Sequence, residues 1–195
     1  MRLPAPSPPW YLRPLHWRQR RQYGVLLDPT ALWSYRPRAL LAFLGLVAVL
    51  RGRSSPLPAE LRALVALRVS QLNSCAFCVD MNASMLDDAG IARDKASAVS
   101  DWRNRPEFAP TERLALEYAE AMTSTPPSVG DDLFQRLQAI LPAAAIVELT
   151  AVVALQNMSA RFNSALQADA YGFCRLPAGP GGTPGADASD FDGRR

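Results

Sequence analysis

Three prolines, Pro58, Pro110 and Pro142, each open a stretch whose apolar residues recur at helical spacing, and nothing alternates with period two over a useful length. Proline suits the first turn of a helix, where the missing N–H would have no intrahelical partner. After Pro58, the residues Leu61, Leu64, Val65, Leu67 and Leu72 fall near a 3.6-residue period as far as Asn73. Pro110-Thr111 starts a helix with Leu114, Ala115, Tyr118, Ala119 and Met122 as its apolar stripe. Pro142 begins the longest one, running through Ile146, Leu149, Val152, Val153, Leu155 and Phe162 to about Ala170.

Shorter helices are expected over residues 75–89, closed by Gly90, over 93–102 and over 131–140, with a loop at 123–132 that carries Pro126, Pro127 and Gly130. The apolar run of residues 39–50, flanked by Arg38 and Arg51, is expected as a buried helix within residues 36–52. The implied fold class is all-α. Length supports one domain: 195 residues, 49% hydrophobic and 20% charged. Its expected parts are an irregular proline- and arginine-rich arm (1–35), a helical domain (36–175) and a disordered Gly/Pro-rich tail (176–195).

The net charge is +3, with Arg2, Arg13, Arg18, Arg20 and Arg21 crowded near His16, Trp10, Tyr11 and Trp17. A nucleic-acid binder shows a larger excess and a recognisable motif, so this patch reads as an arm lying on the domain or on a neighbouring subunit, without nucleic acid. Early prolines (Pro4, Pro6, Pro8, Pro9) rule out an apolar signal helix. Only Gly24-Val25-Leu26-Leu27 follows Arg20-Arg21 before Asp28, too little for a twin-arginine signal. The run of 12 apolar residues at 39–50 falls short of the ~20 that span a bilayer. A soluble, cytoplasmic protein is expected, with no membrane partner.

Of the three cysteines, Cys75 and Cys78 form a Cys-x-x-Cys pair and Cys174 stands apart. Such a pair serves zinc sites and redox sites alike, but structural zinc takes four ligands, and this chain adds only Cys174 and His16, both in its end segments. No cofactor or metal is expected. Cys75 follows the Asn73-Ser74 break at a helix start, where the dipole and free N–H groups lower a thiol pKa. Cys78, three residues on, shares its face and can close a short disulfide. The alternative is two buried cysteines serving as small apolar residues.

The stretch Leu64-Val65-Ala66-Leu67-Arg68-Val69-Ser70-Gln71-Leu72-Asn73-Ser74-Cys75-Ala76-Phe77-Cys78-Val79-Asp80-Met81-Asn82 resembles the core of the carboxymuconolactone decarboxylase/alkylhydroperoxidase D-like (AhpD-like) family. Gly90, Trp102, Thr111-Glu112-Arg113-Leu114-Ala115-Leu116 and Val147-Glu148-Leu149-Thr150 through Asn157 extend the likeness over about residues 36–170. The resemblance implies an AhpD-like helical bundle that is an obligate oligomer, a homotrimer or homohexamer, with thiol peroxidase activity. Cys78 would attack a hydroperoxide and become a sulfenic acid, Cys75 would resolve it, and a thioredoxin-like or lipoyl-type dithiol carrier would reduce the disulfide.

The chain departs from the family at its proton relay. A glutamate twelve positions before the first cysteine is Ala63 here, and a histidine four positions after the second is Asn82. In the last helix Asn157 and Arg161 match the family's Asn-x-x-Asn-Arg, but Ala160 replaces its second asparagine. An unassisted thiol with pKa ~8.5 is only a few per cent ionised at pH 7, a loss of about one to two powers of ten in rate. Asn82, one turn beyond Cys78, and Glu60, one turn before Ala63, are the residues expected to support the site, beside plainer readings of each. Arg62 and Arg68 are expected to be solvated or subunit-facing, Glu148 to pair with an arginine such as Arg161, and Cys174 to be a free or packed thiol. Besides peroxidase, the sequence admits a slow disulfide exchanger, a redox-sensing oligomer or a lapsed member with a structural role. A muconolactone decarboxylase is disfavoured, since no set of His and acidic residues accompanies the cysteines.

Overall fold

The structure, a computed structural model, describes residues 1–88 and 91–173. Gly90, Cys174 and the expected tail lie outside them. Every regular element among the described residues is helical: α1 (Arg13–Tyr23), α2 (Asp28–Trp33), α3 (Pro37–Leu50), α4 (Ala59–Leu72), α5 (Ala76–Asp88), α6 (Arg93–Ala98), α7 (Pro110–Thr123), α8 (Asp131–Ile140) and α9 (Ala143–Ala165). Short 3-10 turns at Trp10–Leu12 and Val99–Asn104 precede α1 and follow α6. The proline-led helices begin where the sequence places them, with Pro58 and Pro142 as N-cap residues and Pro110 as the first residue of α7.

α4 is the centre of the molecule and packs against α5, α7 and α9. One core cluster joins its Leu61, Val65 and Val69 to Leu114 and Tyr118 of α7, Leu137 of α8, and Leu149 and Val153 of α9. A second joins Leu64 and Leu67 on the adjacent side of α4 to Leu86, Val99, Trp102, Phe108 and Leu116. Burying a leucine side chain contributes roughly 1.5–3 kcal/mol, and Leu64, Leu67, Leu86, Leu116, Leu137 and Leu149 are fully enclosed. At 23 residues α9 is long and apolar enough to cross a bilayer, but here its apolar stripe forms the wall of the core.

Residues 1–35 differ from the irregular arm expected. Pro14 and Pro29 lie in the first turns of α1 and α2 instead of breaking them, and Gly24 ends α1 at φ 77°, where its N–H reaches the Arg20 carbonyl at 2.8 Å. Leu12, Leu27, Ala31 and Leu32 are buried. His16 is buried as well. The Ser34 hydroxyl donates to the Thr30 carbonyl (2.7 Å), so His16 Nε2 must be the donor in its 3.0 Å bond to Ser34 Oγ. Burial, with Arg20 nearby, lowers the His16 pKa. The Arg2 N–H bonds the Leu166 carbonyl at 2.9 Å, and the Met1 amine meets the Asp169 carboxylate at 3.2 Å.

α3 also departs from expectation. It is apolar, yet only Leu40 and Leu50 are buried, while Leu41, Leu46 and Val49 are 51%, 45% and 66% exposed. The reason is its position at the edge of the bundle. Its neighbours are α2 and α9, which it meets in part through Trp33 stacked between Phe43 and Phe162, and among the described residues none covers the opposite face.

The two arginines expected to be solvated or subunit-facing are paired within the chain. Arg68 Nε bonds Glu120 Oε1 at 2.6 Å. Arg62 donates to the Leu50 and Gly52 carbonyls at 2.6 and 3.1 Å and lies 3.9 Å from Glu148. Glu148 therefore pairs with Arg62 and with Ser55 Oγ, not with Arg161. Glu148 faces α4 and the α3–α4 connection, whereas Arg161 lies thirteen residues, about three and a half turns, further along the same helix.

Candidate functional site: a buried dithiol between two helix ends

α4 ends in a Schellman motif that sets Cys75 in place. The Ser74 N–H bonds the Gln71 carbonyl at 3.0 Å, and the Cys75 N–H bonds the Ser70 carbonyl at 3.1 Å. The motif needs a left-handed residue between them, and Ser74 supplies it at φ 50°. α9 ends in the same way, with Gln167 at φ 53° and the Ala168 N–H on the Asn163 carbonyl at 2.9 Å. Asn157 and Arg161 tie the two ends together. Asn73 Nδ2 donates to Asn157 Oδ1 (2.8 Å), and Arg161 Nε donates to Asn73 Oδ1 (3.3 Å). These two family-matching residues thus hold the turn that delivers the first cysteine.

Cys75 precedes the first residue of α5, and its carbonyl accepts the Val79 N–H at 2.9 Å. Cys75 and Cys78 are joined as a disulfide with Cα atoms 5.2 Å apart, and both are 2% exposed. Each sulfur has a donor. The Cys78 N–H points at Cys75 Sγ (3.2 Å), and Asn163 Nδ2 points at Cys78 Sγ (3.3 Å). Asn163 is itself buried, and its Oδ1 has no hydrogen-bond partner among the described residues. After reduction, an N–H directed at sulfur favours the thiolate over the thiol.

An apolar cover encloses the pair. Leu27, Phe77, Met81 and Ala160 are buried with the cysteines, and Tyr23, Tyr171 and Phe173 pack over them. The segment after α9 is anchored at Tyr171, whose N–H bonds Asp80 Oδ2 (3.0 Å) and whose hydroxyl bonds Asp28 Oδ1 (2.7 Å). Burial and the adjacent Asp28 carboxylate push the Tyr171 pKa well above that of an ordinary phenol. Both sulfurs are thus closed off from solvent in the disulfide form.

The expected supporting residues sit differently. Asn82 is buried, and its Nδ2 donates to Ser70 Oγ at 3.0 Å, with no hydrogen bond to Cys78 sulfur. Glu60 is on the surface, its Oε1 held by Lys95 at 3.0 Å, with Lys95 also bound to Glu112 at 2.7 Å. Ala63 packs at the edge of the second core cluster. The residues that the sequence reasoning missed are Asn163, Gln156 and Ser70. Their signal was present: each is a polar residue on an apolar helical stripe, with Gln156 and Asn163 two turns apart on the face of α9 that carries Leu149, Val153 and Ala160.

The fold and site define a class of helical dithiol protein, in which two cysteines at a helix start lie under the C-terminal end of a long core helix. The chain belongs to the carboxymuconolactone decarboxylase family, whose model matches residues 37–121. The uncharacterized protein YnjA of Escherichia coli (strain K12) is 45% identical over 174 residues, covering 89% of this chain and 96% of YnjA. A structure from Agrobacterium tumefaciens, of unknown function and described as a putative antioxidant defence protein AhpD, is 28% identical with TM-score 0.68, over 72% of this chain and 95% of that one. The debrominase Bmp8, solved with 2,3,4-tribromopyrrole, shares the fold at 21% identity and TM-score 0.74, over 84% of this chain and 87% of its own.

Proposed function

We propose that the chain is a thiol-dependent, alkylhydroperoxidase-type oxidoreductase that cycles Cys75 and Cys78 between dithiol and disulfide. The observation that carries this reading is the pair itself, within bonding reach at a helix start with a donor aimed at each sulfur. The Cys78 thiolate attacks the distal oxygen of a hydroperoxide. An S–O bond forms, the O–O bond breaks, and the alkoxide leaves as the alcohol after taking a proton. The Cys75 thiol then displaces water from the sulfenic acid and closes the disulfide. An external dithiol carrier, thioredoxin-like or lipoyl-type, reduces it and leaves as its own disulfide. Asn163 supports the attacking sulfur in place of a titratable relay. Such a cycle suits a reducing cytoplasm. The uncovered apolar face of α3 supports assembly with further copies of the chain, as a homotrimer or homohexamer.

One observation favours a second reading. Cys75, at the N-terminus of α5, is the sulfur that receives the helix N–H, so disulfide exchange through Cys75 needs no peroxide step. The test is to treat the reduced protein with hydroperoxide, count free thiols over time and probe a Cys75→Ser variant with a sulfenic-acid trap. Two thiols lost in the parent and one trapped sulfenate at Cys78 are expected. Thiols that ignore peroxide but equilibrate with a dithiol carrier would replace the peroxidase with the exchanger.

A further inference from the structure

Beside α5, bordered by Met85, which also packs against the cysteine cluster, lies a cavity of about 160 Å³. Its walls are largely apolar, including Ala63, Ala66, Met85, Val152 and Leu155, and its polar groups are Arg51, Arg62, Asn82 and Gln156. A mostly apolar concavity with a few convergent polar groups is the usual form of a small-molecule site.

The orientation of the two amides follows from Ser70. Its hydroxyl has one hydrogen, and that is given to the Ala66 carbonyl at 2.7 Å. It can only accept from Asn82 Nδ2 (3.0 Å) and Gln156 Nε2 (2.9 Å). Both amide oxygens are thereby left free of Ser70, as acceptors on residues that line the cavity. The same Ser70 accepts the Cys75 N–H at its carbonyl, and Asn82 lies one turn beyond Cys78, so the inner wall is tied directly to the disulfide.

The two guanidinium groups are not equivalent. Arg62 is held by two carbonyls and by Glu148. Arg51, where α3 ends, has no hydrogen bond or ion pair from its guanidinium to any described residue. The residue is exposed at the rim, yet its charged end is crowded enough that desolvation lowers its pKa. Tyr23 opposes that shift, and Arg62, a like charge, adds to it. A guanidinium exposed at the cavity rim, beside a second cation and without a hydrogen bond or ion pair to a described residue, is an arrangement that an anion would complete.

We propose that this cavity binds a small organic anion, a carboxylate on an apolar body, with Arg51 recognising the charge and the Asn82 and Gln156 oxygens accepting an O–H or N–H at the other end. Resting on the peroxidase reading above, the substrate class becomes an organic hydroperoxide that carries a carboxylate. Arg51 pairs with the carboxylate, the body lies along Ala63 and Ala66, and the hydroperoxyl group is directed towards the wall that carries Asn82. The chemical step is the O–O cleavage and S–O bond formation already described. Arg51 is a specificity residue and takes no part in it.

Binding and turnover separate the two ideas. Calorimetric or NMR titration of the oxidised full chain with benzoate and with benzamide, a neutral probe of the same shape, tests the cavity without any reaction. Benzoate should bind at least tenfold more tightly. The preference should vanish in Arg51→Met and persist in part in Arg51→Lys. Equal binding of the two probes, binding of neither, or a benzoate preference untouched by Arg51→Met would overturn the proposal. Stopped-flow oxidation of the reduced protein by cumene hydroperoxide and by a ring-carboxylated form of it then reads the substrate class, with the carboxylated peroxide expected to be at least tenfold faster. If neither peroxide oxidises the thiols while benzoate still binds through Arg51, the peroxidase reading and its substrate class fall, and the anion site stands. If both peroxides react equally and benzoate shows no preference, the anion site falls and the peroxidase stands.

Discussion

α3 and α4 are each 14 residues long, and the helix with fewer charges is the less buried of the two. α3 carries one charged residue, Arg38, and buries only Leu40 and Leu50. α4 carries Glu60, Arg62 and Arg68 and buries seven residues. The difference lies in what surrounds each helix. The charges of α4 all find partners within the chain, in Lys95, Glu148 and Glu120, and the rest of its surface meets α5, α7 and α9. Among the described residues, α3 has neighbours on one side only. Apolar content states how much surface a helix must hide. It does not say whether the same chain hides it.

Truncations on the two helices should separate most widely. Leu64→Ala in α4 removes a fully enclosed side chain and should destabilise by about 2–5 kcal/mol. Leu41→Ala in α3, half exposed, should stay within about 0.5 kcal/mol for the isolated chain. Urea unfolding at several protein concentrations reads both. Comparable losses at low concentration would mean that α3 is part of the interior after all.

Glu120 tests why α4 tolerates its charges. Burial pushes this carboxyl up, but hydrogen bonds from Trp102, Arg103 and Arg68 outweigh it and hold its pKa below the ordinary carboxylate value. Glu120→Gln leaves Arg68 without its anion in a half-buried setting and should cost about 2–3 kcal/mol. A depressed folded-state pKa contributes stability that is present above the unfolded value, about 4.3, and is lost as pH falls through the folded value. The gap between parent and Glu120→Gln should therefore be full at neutral pH and close progressively below about pH 4. A gap that persists unchanged in acid would assign the loss to packing and not to charge.

On α3 the informative change is the opposite kind. Leu46→Glu puts a charge on the uncovered face, and should leave the fold intact while weakening self-association by about tenfold or more, or about 1.4 kcal/mol. Analytical ultracentrifugation reads it. If the parent is a monomer, or if Leu46→Glu associates as the parent does, the exposed face of α3 has another role.

These contrasts mark what the sequence could convey. Pro58, Pro110 and Pro142 locate α4, α7 and α9 because a proline in or before a first turn has the same local meaning in any context. The cysteines were legible for a related reason: a break followed at once by Cys-x-x-Cys prescribes a helix start with both sulfurs on one side. α1 and α2 were hidden because Pro14 and Pro29, among many prolines and arginines, read as irregular chain. α3 was misjudged because apolar residues are silent about which neighbours arrive. At the site, helical spacing from the family's relay positions points to Asn82 and Glu60, but Ser70 and Lys95 claim them, and both partners come from another element. Asn163 and Arg51 depend on the crossing of α9 with α5 and on the end of α3, which no local pattern encodes.

The smallest effect concerns the turn that joins α4 to the cysteines. Ser74 and Gln167 hold the same left-handed position at the ends of α4 and α9, at φ 50° and 53°, where a side chain costs about 1 kcal/mol relative to glycine. Ser74→Gly and Gln167→Gly should each stabilise the chain by about 0.5–1 kcal/mol. Their effects on chemistry should differ. Ser74 adjoins Cys75, and in the reduced protein a glycine there would widen the range of positions open to the Cys75 sulfur. Disulfide closure after oxidation should then slow by about two- to fivefold in Ser74→Gly, as expected from a less ordered reacting pair, and stay unchanged in Gln167→Gly. Equal closure rates in the two variants would reduce the strained serine to a helix cap. A slower rate in Ser74→Gly alone would show that α4, beyond supplying the core, sets the aim of the first cysteine.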